Sequence, residues 1–501
     1  MNKDSFIGDL MTKVKTGVIL ILSLFIFAPC SFSQQKVNMQ DVINIALMNN
    51  DKIKQYNEKL KQKEFQDLQS WGNFLPVVNI TGSYNHMNDP LTMDLNPIRQ
   101  AMITLQANNQ VQFANISAIL SGQPGGLSDA AKAQYYKKAY GLLDSQLPQF
   151  TAELKKQDYK SASFTAVQPI FMGGKLLAAK NYSRDEKESA TIELTQIKNE
   201  ITAEASTNYL NVVFLQDLVK TRENVLADVI KHRDRAKKLF EEGVIANYNV
   251  LRAEVAVSEA ERNLLADKNK LKVAYLALKT TLGMELNEAL TVEDTLVYNP
   301  IQDSLVNLEK SATVKQPILQ MIALKKDAAK QNFNVERSNF LPTIAAFGKY
   351  ELYPQYLSAL EPRWIVGVQA SFNIFNGFKD YSKLQAASHL EKEVQYIELD
   401  AQRKINLLVN KNYSDVIDAR DRYEKSSSSI SLAKENLRLN EKRFESGLGT
   451  SLEVIDAQLS LEKANIDSKN AVYDYYKALV QLYQSTGEPE TVLSIWKVKG
   501  N

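Results

Sequence analysis

Glu453 and Asp456 stand three residues apart on one face of a helix, just past a glycine-bearing turn, a spacing that concentrates negative charge and attracts cations. Taken alone, the pair reads as a solvated helix face. The other residue types that do chemistry are scattered. His86, His232 and His389 fall in unrelated segments without the spacing of a metal site, and two of them sit within long helical stretches as surface residues. Gly122-Gln123-Pro124-Gly125-Gly126 is glycine-rich but lacks a following Lys-Ser/Thr pair and a preceding strand, so it is no phosphate cradle. No nucleophile has a base at hand. The expectation is a protein without catalytic residues, cofactor or metal. Sixty basic against 58 acidic residues, a net charge of +2, advertise no surface for a polyanion and argue against nucleic acid as a partner.

The elements that must position these residues occur twice. Phe240, Gly243, Val250, Ala253 and Gly283 recur 204 positions later as Phe444, Gly447, Val454, Ala457 and Gly487. Asn73-Phe74-Leu75-Pro76 recurs 266 positions later as Asn339-Phe340-Leu341-Pro342, so the first copy holds 62 additional residues. A duplicated unit this long implies two pseudo-symmetric halves, 34–303 and 304–501, rather than a short-period solenoid. Ahead of them, Lys13 and Lys15 precede an apolar run from Gly17 to Pro29, shorter than the roughly 20 residues of a spanning helix. Ser31 and Ser33 then frame a cleavage before Gln34, so residues 1–33 read as a signal peptide. The single cysteine, Cys30, follows Phe27-Ala28-Pro29, a poor approach for lipidation, and is expected to leave with the leader.

Neither Lys175–Glu242 nor its counterpart, Phe378–Ser446 without the first residue's flanking Gly377, contains glycine or proline, and each predicts one helix roughly 100 Å long. Tight turns at Gly243 and at Gly447 and Gly449 lead into return helices that end near Gly283 and Gly487, giving hairpins over 175–284 and 378–487. Val250, Ala253, Val257, Ala260, Leu264, Leu271, Ala274 and Leu278 form a heptad seam in which only Asp267 is off pattern. Strand-like segments precede each hairpin, at 77–84 and 161–171, then 343–352 and 364–375. Their lengths suit tilted transmembrane strands of about 9 to 11 residues. Four strands cannot close a barrel and lipid tolerates no open edge, so several chains must complete one barrel if these strands lie in a membrane.

Taken in order and in duplicate, the chain resembles the TolC-type outer-membrane efflux proteins. The marks are the two Asn-Phe-Leu-Pro segments, the strand exits Phe171-Met172-Gly173-Gly174 and Phe375-Asn376-Gly377, and Arg443-Phe444-Glu445-Ser446-Gly447 running into Leu452-Glu453-Val454-Ile455-Asp456-Ala457. The resemblance implies a mainly α fold with a membrane β part: a homotrimer whose 12-stranded outer-membrane β-barrel, four strands per chain, continues as a long periplasmic α-helical barrel. Residues 39–72 and 305–338 become shorter helices leading to the membrane, and 285–303 and the C-terminal tail join an equatorial belt. It implies a passive channel of a tripartite efflux or type I secretion system, set in outer-membrane lipid and served by a periplasmic adaptor and an inner-membrane pump. Glu453 and Asp456 match acidic positions that narrow the periplasmic mouth, where Asn249 and Arg252 complete the gate. Gly243-Val244 and Gly447-Leu448 resemble the tips that meet the adaptor. Some members latch the mouth with an acidic residue in the first tip and an arginine in the second; this chain has Asn249 and Gly449 there and departs from that ion pair. A periplasmic coiled-coil adaptor or structural protein is the alternative reading. For the additional segment 86–160 the default expectation is a lengthened loop, ahead of short helices that cap the barrel or bind a partner.

Overall fold

A computed structural model describes residues 35–358 and 360–496. The leader assigned to residues 1–33, with Cys30, lies outside them. The elements run β1 (Gln35–Val37), α1 (Met39–Asn49), α2 (Asp51–Gly72), β2 (Val77–His86), β3 (Leu91–Asp94), α3 (Asn96–Leu120), α4 (Asp129–Gln146), β4 (Thr151–Lys155) and β5 (Asp158–Met172). They continue with α5 (Lys175–Glu241), α6 (Asn247–Thr281), β6 (Leu290–Val292), α7 (Leu305–Lys315), α8 (Pro317–Ser338), β7 (Thr343–Glu351) and β8 (Trp364–Ser371). Last come α9 (Lys379–Glu445), α10 (Ser451–Thr486) and α11 (Val492–Ile495). The chain divides into two compact units, one of residues up to Asp67 with Tyr182–Lys330 and Ser388 onward, the other of Leu68–Asn181 and Gln331–Ala387.

In the first unit the duplication is visible bond by bond. The helices α5 and α9 are each 67 residues long and begin and end 204 positions apart. The short helices break at Asn50 and at Gln316, where Pro317 cannot continue the preceding helix. Asn50 Nδ2 donates to the Thr281 carbonyl at 2.9 Å, and Gln316 Nε2 to the Ser485 carbonyl at 2.9 Å. Each break thereby supplies a donor to the last turn of a return helix, whose carbonyls lack partners of their own. Gly283 and Gly487 follow at φ of +66° and +90°, and a Cβ on either would lie 2.7 or 2.5 Å from the carbonyl oxygen of Asn49 or Lys315. Only glycine meets both conditions.

The core of this unit is aromatic. Tyr209, Tyr475, Tyr476, Leu479 and Leu482 are buried with Val42, Ile43 and Leu278. Their hydroxyls reach a segment without regular structure: Tyr476 donates to Val297 O at 2.6 Å, Tyr475 to Asn299 O at 2.9 Å and Tyr483 to Asp303 Oδ2 at 2.7 Å. Tyr209 and the Trp496 indole both donate to Asp294 Oδ2. Buried tyrosines thus satisfy 294–303 from one side, which holds an irregular backbone in place. Nearby, β1 and β6 pair in parallel.

The second unit contains an antiparallel sheet in the order β2-β5-β7-β8. Its register puts Ile80, Phe164, Tyr350 and Trp364 in one row and Val78, Ala166, Gly348 and Val366 in the next row of the same face. The apolar side chains of this face are exposed, Ile80 at 71% and Val366 at 69%. The opposite face is largely polar, with Asn79, Thr81, Ser83, Ser161, Ser163, Thr165 and the Lys349–Glu351 ion pair beside Ile365 and one apolar row of Val77, Val167 and Phe347. Apolar outside and polar inside is the inverse of a water-soluble sheet and the pattern of a barrel wall in lipid. Among the described residues β2 and β8 each have one free edge, and they run in opposite directions. An edge of one copy can therefore pair antiparallel with that of the next.

Two expectations are corrected. The strand expected over 364–375 stops at Ser371, because its partner β7 begins at Thr343, directly after Pro342, and leaves residues 372–375 nothing to pair with. Segment 86–160 is not a lengthened loop. It folds into the antiparallel pair β3-β4 and the helices α3, of 25 residues, and α4, of 18. Arg99, buried between them, donates to Asp144 Oδ1 at 2.7 Å and to the carbonyls of Leu147 and Pro148, closing the C-terminal end of α4.

Candidate functional site

The two hairpin tips are built alike. After α5, Gly243 turns at φ +76° and Val244 N donates to Leu239 O at 2.8 Å; after α9, Gly447 turns at φ +71° and Leu448 N donates to Arg443 O at 2.9 Å. Positive φ lets the chain reverse within five residues while the last helical carbonyls keep partners. The tips lie against each other: a Cβ on Gly447 would be 3.3 Å from Val244 Cγ1. Phe444, Val250, Ala253, Val454 and Ala236 fill a small core behind them. Leu448 is 77% exposed and Val244 49%, so the turns present apolar side chains to solvent.

The first turns of the two return helices differ. The α10 turn carries a capping box, with Glu453 N donating to Thr450 Oγ1 at 3.3 Å and Thr450 N to Glu453 Oε2 at 2.8 Å. Arg443 Nη1 approaches the other Glu453 oxygen at 3.7 Å. Glu453 is part-exposed and Asp456 exposed. In α6 the cap residue is Ala246, whose methyl group offers no acceptor. Asn249, at the position equivalent to Glu453, is buried instead and accepts from Ser451 N at 3.3 Å, serving the start of the other hairpin's return helix. Arg252, equivalent to Asp456, is exposed. One chain therefore brings Asn249 and the start of α10 together and leaves Asp456 and Arg252 open.

His232 is not the surface residue expected from its helix. It is buried beneath the tips, with Nε2 2.8 Å from Ser451 Oγ and its ring 4.9 Å from that of Phe444. Burial, helped by the nearby Arg235 guanidinium, pushes its pKa down to about 4. His389, by contrast, is exposed. A second buried group escaped sequence reasoning. Arg222 of α5 binds Asp267 of α6 at 2.9 Å and Glu462 of α10, and Lys270 adds a 2.9 Å bond to Asp267. Burial pushes the Asp267 carboxyl up, but hydrogen bonds from Lys270 and Arg222 outweigh it and hold the group below the ordinary carboxylate range. The signal was Asp267 itself, the one polar interruption of the α6 seam, whose neighbours Val257, Ala274 and Leu278 are buried.

The profile of the outer membrane efflux protein family matches residues 144–284 and 308–488, one block for each half. The chain belongs to that family. Outer membrane protein TolC of Vibrio cholerae is 25% identical over 299 residues, which cover 56% of this chain and 66% of that protein. The solvent efflux pump outer membrane protein SrpC of Pseudomonas putida is 22% identical over 326 residues, covering 62% and 66%. The chain thus spans just under two thirds of the length of these family relatives. In fold, it superposes on the outer membrane protein VceC of Vibrio cholerae with a TM-score of 0.67 at 14% identity, over 90% of this chain and 96% of the other.

Proposed function

We propose that three copies of this chain form a passive outer-membrane channel, not an enzyme, which extends into the periplasm and conducts substrates from an adaptor and inner-membrane pump to the exterior. One observation carries the reading: a four-stranded sheet with an exposed apolar face, a largely polar opposite face and two free edges of opposite direction. Such a sheet is stable in lipid only when other copies close it, and its polar face then lines a water-filled bore. An adaptor or structural coiled coil has no use for an apolar outer face of this kind. The names of the relatives, among them a solvent efflux pump component, favour small-molecule efflux over protein secretion. The halves 34–303 and 304–501 are then two copies of one ancestral strand-pair and hairpin.

Within this channel, Glu453 and Asp456 ring the periplasmic mouth, with Asn249 and Arg252 in the neighbouring hairpin, and Val244 and Leu448 dock the adaptor end-on. The exposure of Asp456, Arg252, Val244 and Leu448 supports that assignment. Three chains place six carboxylates about one axis, where multivalent cations bind and obstruct flow. The double variant Glu453→Gln, Asp456→Asn keeps the reach of the capping box and removes the charge. In planar bilayers its block by trivalent cations is expected to weaken about tenfold or more, each 1.4 kcal/mol of lost attraction being worth a factor of ten. Stability should change by no more than about 1 kcal/mol per exposed carboxylate. Equal block of both proteins would place these carboxylates outside the conducting path.

A further inference from the structure

The helix α3 of the additional segment has two apolar faces, and among the described residues only one is covered. Arg99, Ile103, Ala107 and Val111, spaced by four, are buried. On the opposite side Ile98, Met102, Leu105, Asn109, Phe113, Ile116 and Leu120 follow one another in steps of three and four. The apolar members of this stripe are 52% to 83% exposed. A 3-4 seam of this kind is the contact surface of a coiled coil, and a single asparagine within it is a device that fixes register and copy number.

We propose that this seam is a contact between copies: the α3 helices of the three chains pack in parallel about the trimer axis and cap the outer mouth of the barrel. The proposal rests on the channel reading above. Three further observations favour sister copies over any other occupant. First, Arg99 is the only ionisable residue of α3, and it is buried, so the exposed seam carries no charge to repel an identical copy or to pair with a charged partner. Second, lipid is a poor occupant, because Asn109 and its exposed neighbours Asn108, Gln110 and Gln112 have polar groups that hydrocarbon leaves unsatisfied. Third, the segment springs from the sheet edge that must meet the next copy. Only residues 87–90 separate it from the edge strand β2 and only 156–157 from β5, and Met87 N donates to Gln157 O at 2.9 Å. Lys155 ties its root to Glu361 at 2.7 Å. A ring symmetry then presents the three α3 helices to one another in the same direction.

A cysteine-free background, Cys30→Ser, allows a direct test on the full-length protein in mild detergent. Leu105→Cys sits on the seam, and Lys137→Cys, exposed on α4, is the control. On oxidation with copper-phenanthroline, Leu105→Cys should yield disulfide-linked dimers on denaturing gels at least fivefold more abundant than Lys137→Cys, while the native mass stays that of three chains. Equal cross-linking of the two variants in an intact trimer overturns the cap. Oxidation that doubles the native mass also overturns it, by placing the seam between separate trimers. A native mass of one chain overturns the channel reading, and the cap with it.

Discussion

Arg222→Met is expected to cost about 3–5 kcal/mol of stability at neutral pH, the largest effect of any single change away from the aromatic core. The substitution leaves Asp267, 3% exposed, and Glu462, 7% exposed, as buried carboxylates without their shared cation. Lys270 keeps one bond to Asp267, so Glu462 bears most of the loss. Because Arg222 stands on one hairpin and Glu462 on the other, the loss falls on the contact between them. Replacing the charged set by apolar residues, Arg222→Met with Asp267→Leu and Glu462→Leu, should recover most of the stability, since buried ion pairs return little net free energy against well-packed side chains. Thermal unfolding of the single and triple variants in detergent measures both. A single variant within 1 kcal/mol of the parent would mean that water reaches the three groups.

Acidification is expected to loosen the tips before it touches this network. His232 is held neutral by burial at a pKa of about 4, against an ordinary value of 6.5. A depressed histidine pKa means that the folded tip resists a proton that the opened tip accepts. Its contribution is therefore complete above about pH 6.5 and is lost as pH falls toward 4. The carboxylates around it are already engaged: Asp228 pairs with Lys231, Asp234 with Arg233 and Glu445 with Arg235, while burial raises the pKa of Glu441. Between pH 6.8 and 4.8 the tip should lose about 2 kcal/mol, roughly a thirtyfold rise in local opening. Asp267 behaves in the opposite sense: its lowered pKa preserves the Arg222 network until pH falls below the ordinary carboxylate range. Amide exchange over 444–451, corrected for intrinsic rates, reports the opening, and His232→Gln should flatten its pH dependence. Parallel curves for parent and variant would assign the effect to other groups.

The long helices were legible because nothing interrupts them: no glycine or proline falls within α5 or α9, and positive-φ glycines end both. What failed to show locally depended on distant partners. His232 is buried by Phe444 and Ser451, more than 200 positions away, so its own helical pattern carries no sign of burial. Glu462, one carboxylate on α10, gains meaning only from Arg222 on the other hairpin. The pattern of 364–375 continues past Ser371, but strand pairing ends with the partner strand at Pro342. Segment 96–120 carries no single apolar stripe because two opposite apolar faces are superposed in one helix, α3.

The central claim is that this chain completes its sheet only with other copies of itself. Light scattering on the protein in mild detergent, with circular dichroism on the same fraction, tests it directly. The account predicts a monodisperse particle of three chains that keeps its β signal. A monodisperse single chain with the β signal intact would contradict it, because four strands with two free edges would then be stable alone.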